Sequence, residues 1–325
     1  MTYALSARVR AALRDSDRRI VMTGAGGWLG LATLELLSDA LGQDFDGRVT
    51  CFGASRKTLA LLDGRHIEQF PLGHIVHLSS RPSIVLHLAF LTKDRAETMD
   101  EADYTRANRA LTRQLLGALD AIDARAVFVA SSGAARFADD PARSPAMRLY
   151  GALKRADEEA FDDWAKTRGR RAVIARLFNI AGPHINKVQS YALSALILDA
   201  LAGGPVRVRA PHHVVRGYVA IRELMSLVFA LLLDERPAVL RFDTGGKAME
   251  LAEVAAVVAG EFGGTVDRPA PQIADEDIYL GNPQPYARLL VEHEIEPVLF
   301  AEQVRETGDT LQQYIRHGPN IALAG

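Results

Sequence analysis

The chain has 325 residues, 48% of them hydrophobic and 24% charged, which is enough for a large core and two lobes. Its formal net charge of −2 removes any electrostatic case for nucleic acid or an anionic membrane surface as partner. The single cysteine, Cys51, excludes an intrachain disulfide and points to a reducing compartment.

Near the start, Arg8, Arg10, Arg14 and Asp15 stand where a signal peptide needs an apolar run. The longest apolar stretch, Leu224 to Leu233, is interrupted by Ser226 and too short to cross a bilayer. A soluble, cytoplasmic protein is expected. Leu5, Val9 and Leu13 share one face of a short helix over 3–14. Ile20 to Met22 then form a buried strand, Thr23 to Gly30 a glycine-rich turn, and Leu31 to Leu41 a helix. Strand, glycine turn and helix open a dinucleotide-binding βαβ unit, in which glycine lets the backbone approach a pyrophosphate. Gly24, Gly27 and Gly30 are three apart. With Trp28 and Leu29 they make the helix start whose N–H groups would face the phosphates.

Asp44 to Gly47 is a turn and Val49 to Phe52 the second strand. The residues after it decide the choice of cofactor, since a carboxylate there binds the adenosine ribose of NAD and repels the extra phosphate of NADP. Here Gly53-Ala-Ser-Arg-Lys57 follows, with no acid between Cys51 and Leu62. Ser55, Arg56 and Lys57 together offer donors and positive charge for that phosphate, so NADP(H) is expected over NAD. An ordinary solvated basic loop is the bland alternative. Strands are read over 65–72 and 83–89, with His87 inside the apolar run as a core histidine. A long helix over 103–119 carries Asn108, and the strand over 126–130 leads to Ser131-Ser132-Gly133. Pro141 and Pro145 punctuate a loop before Tyr150-Gly-Ala-Leu-Lys154 and a polar helix through Lys166. The acids Glu158-Glu159 and Asp162-Asp163 on that helix read as solvated. A strand over 172–178 ends at Asn179. Alternation of strand and helix to this point predicts a parallel, doubly wound sheet.

Beyond 183 the pattern is less regular. Helices are read over 190–201, 222–233, 251–262 and 302–315, strands over 206–209 and 239–242, and a loop over 268–285. His212 and His213 are adjacent and have no spaced partners, so no metal site is expected.

Tyr150 and Lys154 are four apart and share a helix face. With eight tyrosines and six lysines, about 0.15 such pairs would arise by chance. Hydride exchange at a carbon–oxygen centre needs a proton moved at that oxygen. A phenol near pKa 10 becomes a base at neutral pH only beside a cation. Ser132 would hydrogen-bond the substrate oxygen, with Ser131 as the alternative.

The T-G-x-x-G-x-x-G run from Thr23, the segment Val85-Leu-His-Leu-Ala-Phe90, Asn108, Ser132 and the Tyr150/Lys154 pair resemble the extended short-chain dehydrogenase/reductases over nearly the full length. The resemblance implies a Rossmann α/β fold with a smaller C-terminal α+β substrate-binding lobe. The dinucleotide-binding domain would span 1–183 with returning segments about 217–262, and the lobe 184–216 and 263–325. Leu88, Ala89 and Asn108 would line the cofactor, and Lys154 would also hold its nicotinamide ribose. Arg176-Leu-Phe-Asn-Ile-Ala-Gly-Pro183 and Arg216 match family positions at which Asn179 and Arg216 would meet a nucleotide-sugar diphosphate. Phe90 departs from the family's small residue, Ala135-Arg136-Phe137 from its Val-Tyr-Gly, and Gly217 from its Asp. The main expectation is an NADP(H)-dependent oxidoreductase acting on a carbonyl or carbinol of a nucleotide-sugar. An epimerase with retained NAD is the alternative, and a non-catalytic dinucleotide sensor the reading from another class. A homodimer is implied by the resemblance alone.

Overall fold

The computed structural model describes residues 3–272 and 276–317. The chain divides into two units, Thr2–Leu177 with Met225–Asp243, and Phe178–Leu224 with Thr244–Gly325. In chain order the elements run α1 (Ala7–Asp15), β1 (Arg19–Thr23), α2 (Trp28–Leu41), α3 (Phe45–Arg48), β2 (Val49–Gly53), β3 (Lys57–Ala60), β4 (His66–Pro71) and β5 (Ser83–His87). Next come α4 (Lys93–Thr98), α5 (Glu101–Leu119), β6 (Ala124–Ser132), α6 (Pro145–Arg168), β7 (Arg171–Leu177) and β8 (Asn179–Ala181). They are followed by α7 (Ala192–Leu201), β9 (Val206–Arg207), β10 (His213–Ala220), α8 (Ile221–Leu233), β11 (Ala238–Asp243) and β12 (Ala248–Glu250). The chain closes with α9 (Leu251–Phe262), β13 (Val266–Asp267), β14 (Glu276–Tyr279), α10 (Pro283–Glu292) and α11 (Phe300–His317).

The larger unit holds an eight-stranded sheet in the order β11-β7-β6-β5-β1-β2-β4-β3. Seven strands are parallel, and β3 runs antiparallel to β4. Strands covered on both faces carry no polar alternation, and β1 and β5 are buried at every position. One face packs Val21, Phe52, Val85, Val127 and Val129 under Leu115 of α5 and Phe161 of α6. The strand order reverses between β1 and β5, a topological switch point, so the turns after these two strands open the crevice where such sheets take ligands. Buried arginines close off backbone carbonyls in the same unit. Arg19 donates to the Ile122 carbonyl, Arg48 to that of Leu13 and Arg171 to that of Leu231. The arginine excess therefore serves the scaffold in part.

The smaller unit has its own sheet, β12-β10-β14, with β8 also paired to β10, and a two-stranded β9-β13 ribbon. That pairing corrects the expected boundaries. β8 leaves the large sheet at Phe178 because it pairs with β10, and α9 packs on α7 and α11. The segment returning to the larger unit is therefore Met225–Asp243, narrower than 217–262. The expected loop over 268–285 contains β14 and the start of α10, whose Pro283 sits in the first turn behind an Asn282 cap. Pro145 likewise opens α6 behind the Ser144 cap, so Tyr150 lies inside the helix. The turn expected over 44–47 is a 3₁₀ turn running into α3. Among the described residues no helix is long and apolar enough to cross a membrane.

Candidate active site

The glycine turn follows β1 at the switch point. Gly24 stands at φ +72°, and a Cβ on it would lie 2.6 Å from the Ala89 nitrogen. Any side chain there is strained and has no room. Gly30 is needed for packing, since its Cβ would lie 2.5 Å from the Ala25 oxygen. Gly27 differs: a Cβ on it would meet nothing closer than 3.4 Å. Gly27 is also the N-cap of α2 and brings no side-chain cap, so Trp28, Leu29 and Gly30 start the helix without one. The space left over Gly27 and this helix start suit a pyrophosphate, and the residues present fit a dinucleotide. The backbone after β5 is pinned beside the turn. Leu88 N donates to the Thr23 carbonyl (3.2 Å) and Ala89 N to Thr23 Oγ1 (3.3 Å). Asn108, expected to line the cofactor, bonds to the backbone beside this segment. It is buried in α5, where its Oδ1 accepts from Leu91 N (2.8 Å) and its Nδ2 donates to the Tyr104 carbonyl (3.3 Å).

The basic segment after β2 is arranged differently from a free cationic loop. Arg56 is paired with Glu68 of β4, its Nε 3.1 Å from Oε2. Lys57 begins β3, and a Cβ on Gly26 would lie 2.6 Å from its Nζ. Ser55 is exposed, and its carbonyl accepts from Gln69 Nε2 (2.9 Å). The acid absent from residues 52–61 thus arrives from the neighbouring strand.

Tyr150 and Lys154 lie one turn apart on α6. Gly151 lets this helix close on the segment after β6, since a Cβ there would lie 2.2 Å from the Ala134 oxygen. Lys154 is 5% exposed. Its Nζ donates to the Ala130 carbonyl (2.7 Å) and lies 3.8 Å from the centre of the Phe90 ring. Burial pushes its pKa down to about 8, against the pull of Asp157 and Glu158, which favour the charged form. Phe90 also meets the Tyr150 ring edge-on, at 5.9 Å and 72°. The two serines ending β6 have separate roles. Ser131 Oγ donates to Glu158 (2.5 Å), whereas Ser132 Oγ accepts from Ala134 N (3.2 Å).

Glu158, read from the sequence as solvated, is 1% exposed. It receives Arg176 in a two-pronged pair (2.8 and 2.7 Å) and Arg241 at 3.4 Å. Asp157 is equally buried. Its Oδ1 accepts from Thr112 (2.6 Å) and its Oδ2 lies 3.4 Å from His87 Nε2. His87 Nδ1 in turn meets Thr23 Oγ1 (3.1 Å), which supports the core-histidine reading. Burial raises the Asp157 carboxyl, but His87, Lys154 and Thr112 outweigh it, and the pKa ends below the ordinary range. The chain Thr23–His87–Asp157–Thr112 thereby ties the glycine turn, β5, α5 and α6 together around Lys154. Spacing carried a signal for these acids, since positions 154, 157 and 158 share one helix face with buried Phe161.

In the smaller unit, Asn179 Nδ2 donates to the carbonyls of Gly217 (3.3 Å) and Tyr279 (3.5 Å). Arg216 pairs with the Asp277 carboxylate and donates to its carbonyl (2.7 Å). Gly217 replaces the family's Asp because a Cβ there would lie 2.8 Å from the Gly246 oxygen. Among the described residues no group of three or more His, Cys, Asp or Glu could hold a metal.

The switch-point crevice, the uncapped glycine turn and the Tyr150/Lys154 pair define a Rossmann-type dinucleotide enzyme. The model of the NAD dependent epimerase/dehydratase family matches residues 20–240, and the chain belongs to that family. It is 28% identical over 128 residues to dTDP-L-rhamnose 4-epimerase of Burkholderia thailandensis, a stretch covering 38% of this chain and 34% of that protein. The chain thus matches about a third of that relative's length. Its fold is similar to that of UDP-N-acetylglucosamine 4-epimerase from Methanobrevibacter ruminantium in complex with UDP-N-acetylmuramic acid. The TM-score is 0.70 at 18% identity, covering 92% of this chain and 99% of that one. Thermus thermophilus UDP-glucose 4-epimerase in complex with NAD gives 0.65 at 21% identity, covering 90% and 99%.

Proposed function

We propose that the chain is a nucleotide-sugar epimerase that works with retained NAD, rather than the NADP(H)-dependent reductase expected first. The observation that carries the chemistry is Tyr150 one helical turn from a buried Lys154 ammonium. Two facts favour epimerisation over reduction. The 4-epimerase relatives include an NAD complex, and Glu68 neutralises the Arg56 on which the NADP argument rested. A bound nicotinamide dinucleotide would supply reversible hydride chemistry at the carbinol carbon.

The chain's own residues handle the proton. Lys154 favours the phenolate of Tyr150, which takes the proton from the substrate hydroxyl and returns it when the carbonyl is reduced again. Ser132 donates to the same oxygen, and Ser131 stays with Glu158. Thr23, Leu88, Ala89 and the first turn of α2 would hold the dinucleotide, with Asn108 fixing the loop through Leu91. Arg216 and Asn179 take the substrate diphosphate, Arg216 exchanging Asp277 for phosphate oxygens. A second reading, NADP(H)-dependent reduction, draws on one observation, the Lys57 ammonium beside Gly26.

The test is Tyr150→Phe assayed by NMR on UDP-glucose, UDP-N-acetylglucosamine and dTDP-L-rhamnose. Turnover should fall by about 10²- to 10⁴-fold. Epimerisation at the wild-type rate would remove the phenol from the mechanism.

A further inference from the structure

Phe90 stands where the family pattern has a small residue, and its ring lies over Lys154. The Nζ of Lys154 is 3.8 Å from the ring centre, and Tyr150 meets the ring edge-on at 5.9 Å. Lys154 is buried, while Phe90 and Tyr150 are each part-exposed. The ring is therefore the outer layer over the ammonium. The backbone on both sides of Phe90 is held. Ala89 N donates to Thr23 Oγ1, Leu91 N to Asn108 Oδ1, and Tyr104 OH to the Leu91 carbonyl. The loop is fixed at both flanks, and rotation about the Phe90 side-chain bonds is the movement left to uncover Lys154.

We propose that Phe90 is a cover over the Lys154 ammonium, which the nicotinamide-side ribose of the cofactor must displace before its hydroxyls can reach Nζ. The inference rests on the cofactor reading above and adds a chain-specific step to it. A cation over an aromatic face is attracted to it, the more so when shielded from water. The covered state therefore competes with cofactor, and the apparent affinity falls by the fraction of molecules that are uncovered. The adenine half of the ligand, held by the glycine turn, does not need Lys154 and is indifferent to the cover. Phe90 is in this sense a positioning residue, since it acts through Lys154.

The experiment titrates NADH by nicotinamide fluorescence, and ADP by calorimetry, into the full-length wild type, Phe90→Ala and Phe90→Leu, each first freed of retained dinucleotide. Far-UV circular dichroism and thermal unfolding check the fold of each. Phe90→Ala should bind NADH about tenfold more tightly, with ADP affinity unchanged. Phe90→Leu, which keeps an apolar cover but no ring face, should fall between the two and stands in if the alanine variant does not fold. Wild-type binding of NADH with equal or weaker binding by both variants would overturn the cover and leave the cofactor reading intact. An equal gain for ADP would also overturn it, because the substitution would then be acting on the loop as a whole. Failure of every form to bind NADH would remove the cofactor reading and the cover with it.

Discussion

Lys154, the proposed charge partner of Tyr150, costs stability where it stands, and that cost can be measured. In the unfolded chain its amine keeps its ordinary value of 10.5, whereas burial in the folded protein lowers it to about 8. Between these two values the unfolded chain holds a proton that the folded one has released, so raising pH through the window stabilises the folded state. Below pH 8 both states are charged and the full penalty stands. At 1.36 kcal/mol per pKa unit the penalty at neutral pH is about 3 kcal/mol. About 2 kcal/mol of it is relieved between pH 7 and pH 9.5. Lys154→Met keeps much of the volume and abolishes the titration, at the loss of the hydrogen bond to Ala130 and the contact with Phe90. Urea unfolding of the cofactor-free wild type and variant at pH 7 and pH 9.5 measures the relief. Wild type should gain about 2 kcal/mol on Lys154→Met across that interval. Parallel pH dependences for the two proteins would refute the reasoning.

Three further outcomes are expected. Glu158→Ala removes the two-pronged partner of Arg176 and the acceptor of Ser131, and should cost about 3–5 kcal/mol of stability in the same urea assay. Glu68→Ala releases Arg56, and should shift the NADP-to-NAD affinity ratio towards NADP by about tenfold, read by titration with both cofactors. Arg216→Ala should raise KM for the nucleotide-sugar by about tenfold or more with kcat little changed, as expected of a group that binds ground state and transition state alike.

Much of the larger unit was legible because local signals agreed. The apolar runs at Ile20–Met22 and Ile84–Leu86, the glycine spacing and the helical stripe of α5 each fix one element, and alternation orders them into a parallel sheet. The smaller unit was harder. β14 is short and part-exposed, β8 has three residues, and both exist because β10 pairs with them across long sequence separations. In the candidate site, the sharing of α6 by Tyr150 and Lys154 was legible from chain spacing. Side-chain pairing was not legible where the partner comes from another strand. Glu68 reaches Arg56 only through the β3–β4 hairpin. Glu158 is buried because Arg176 and Arg241 arrive from β7 and β11. Phe90 registered as a departure from a motif, but its place over Lys154 depends on the approach of α6 to the β5 loop.

The central claim is that one carbon loses and regains the same hydrogen. A UDP-sugar deuterated at C4, incubated with the purified protein, tests it by NMR and mass spectrometry. The account predicts the C4 epimer with its deuterium retained and no NADH accumulating. Accumulation of a ketone with matching NADH, or an epimer carrying hydrogen from solvent, would contradict it.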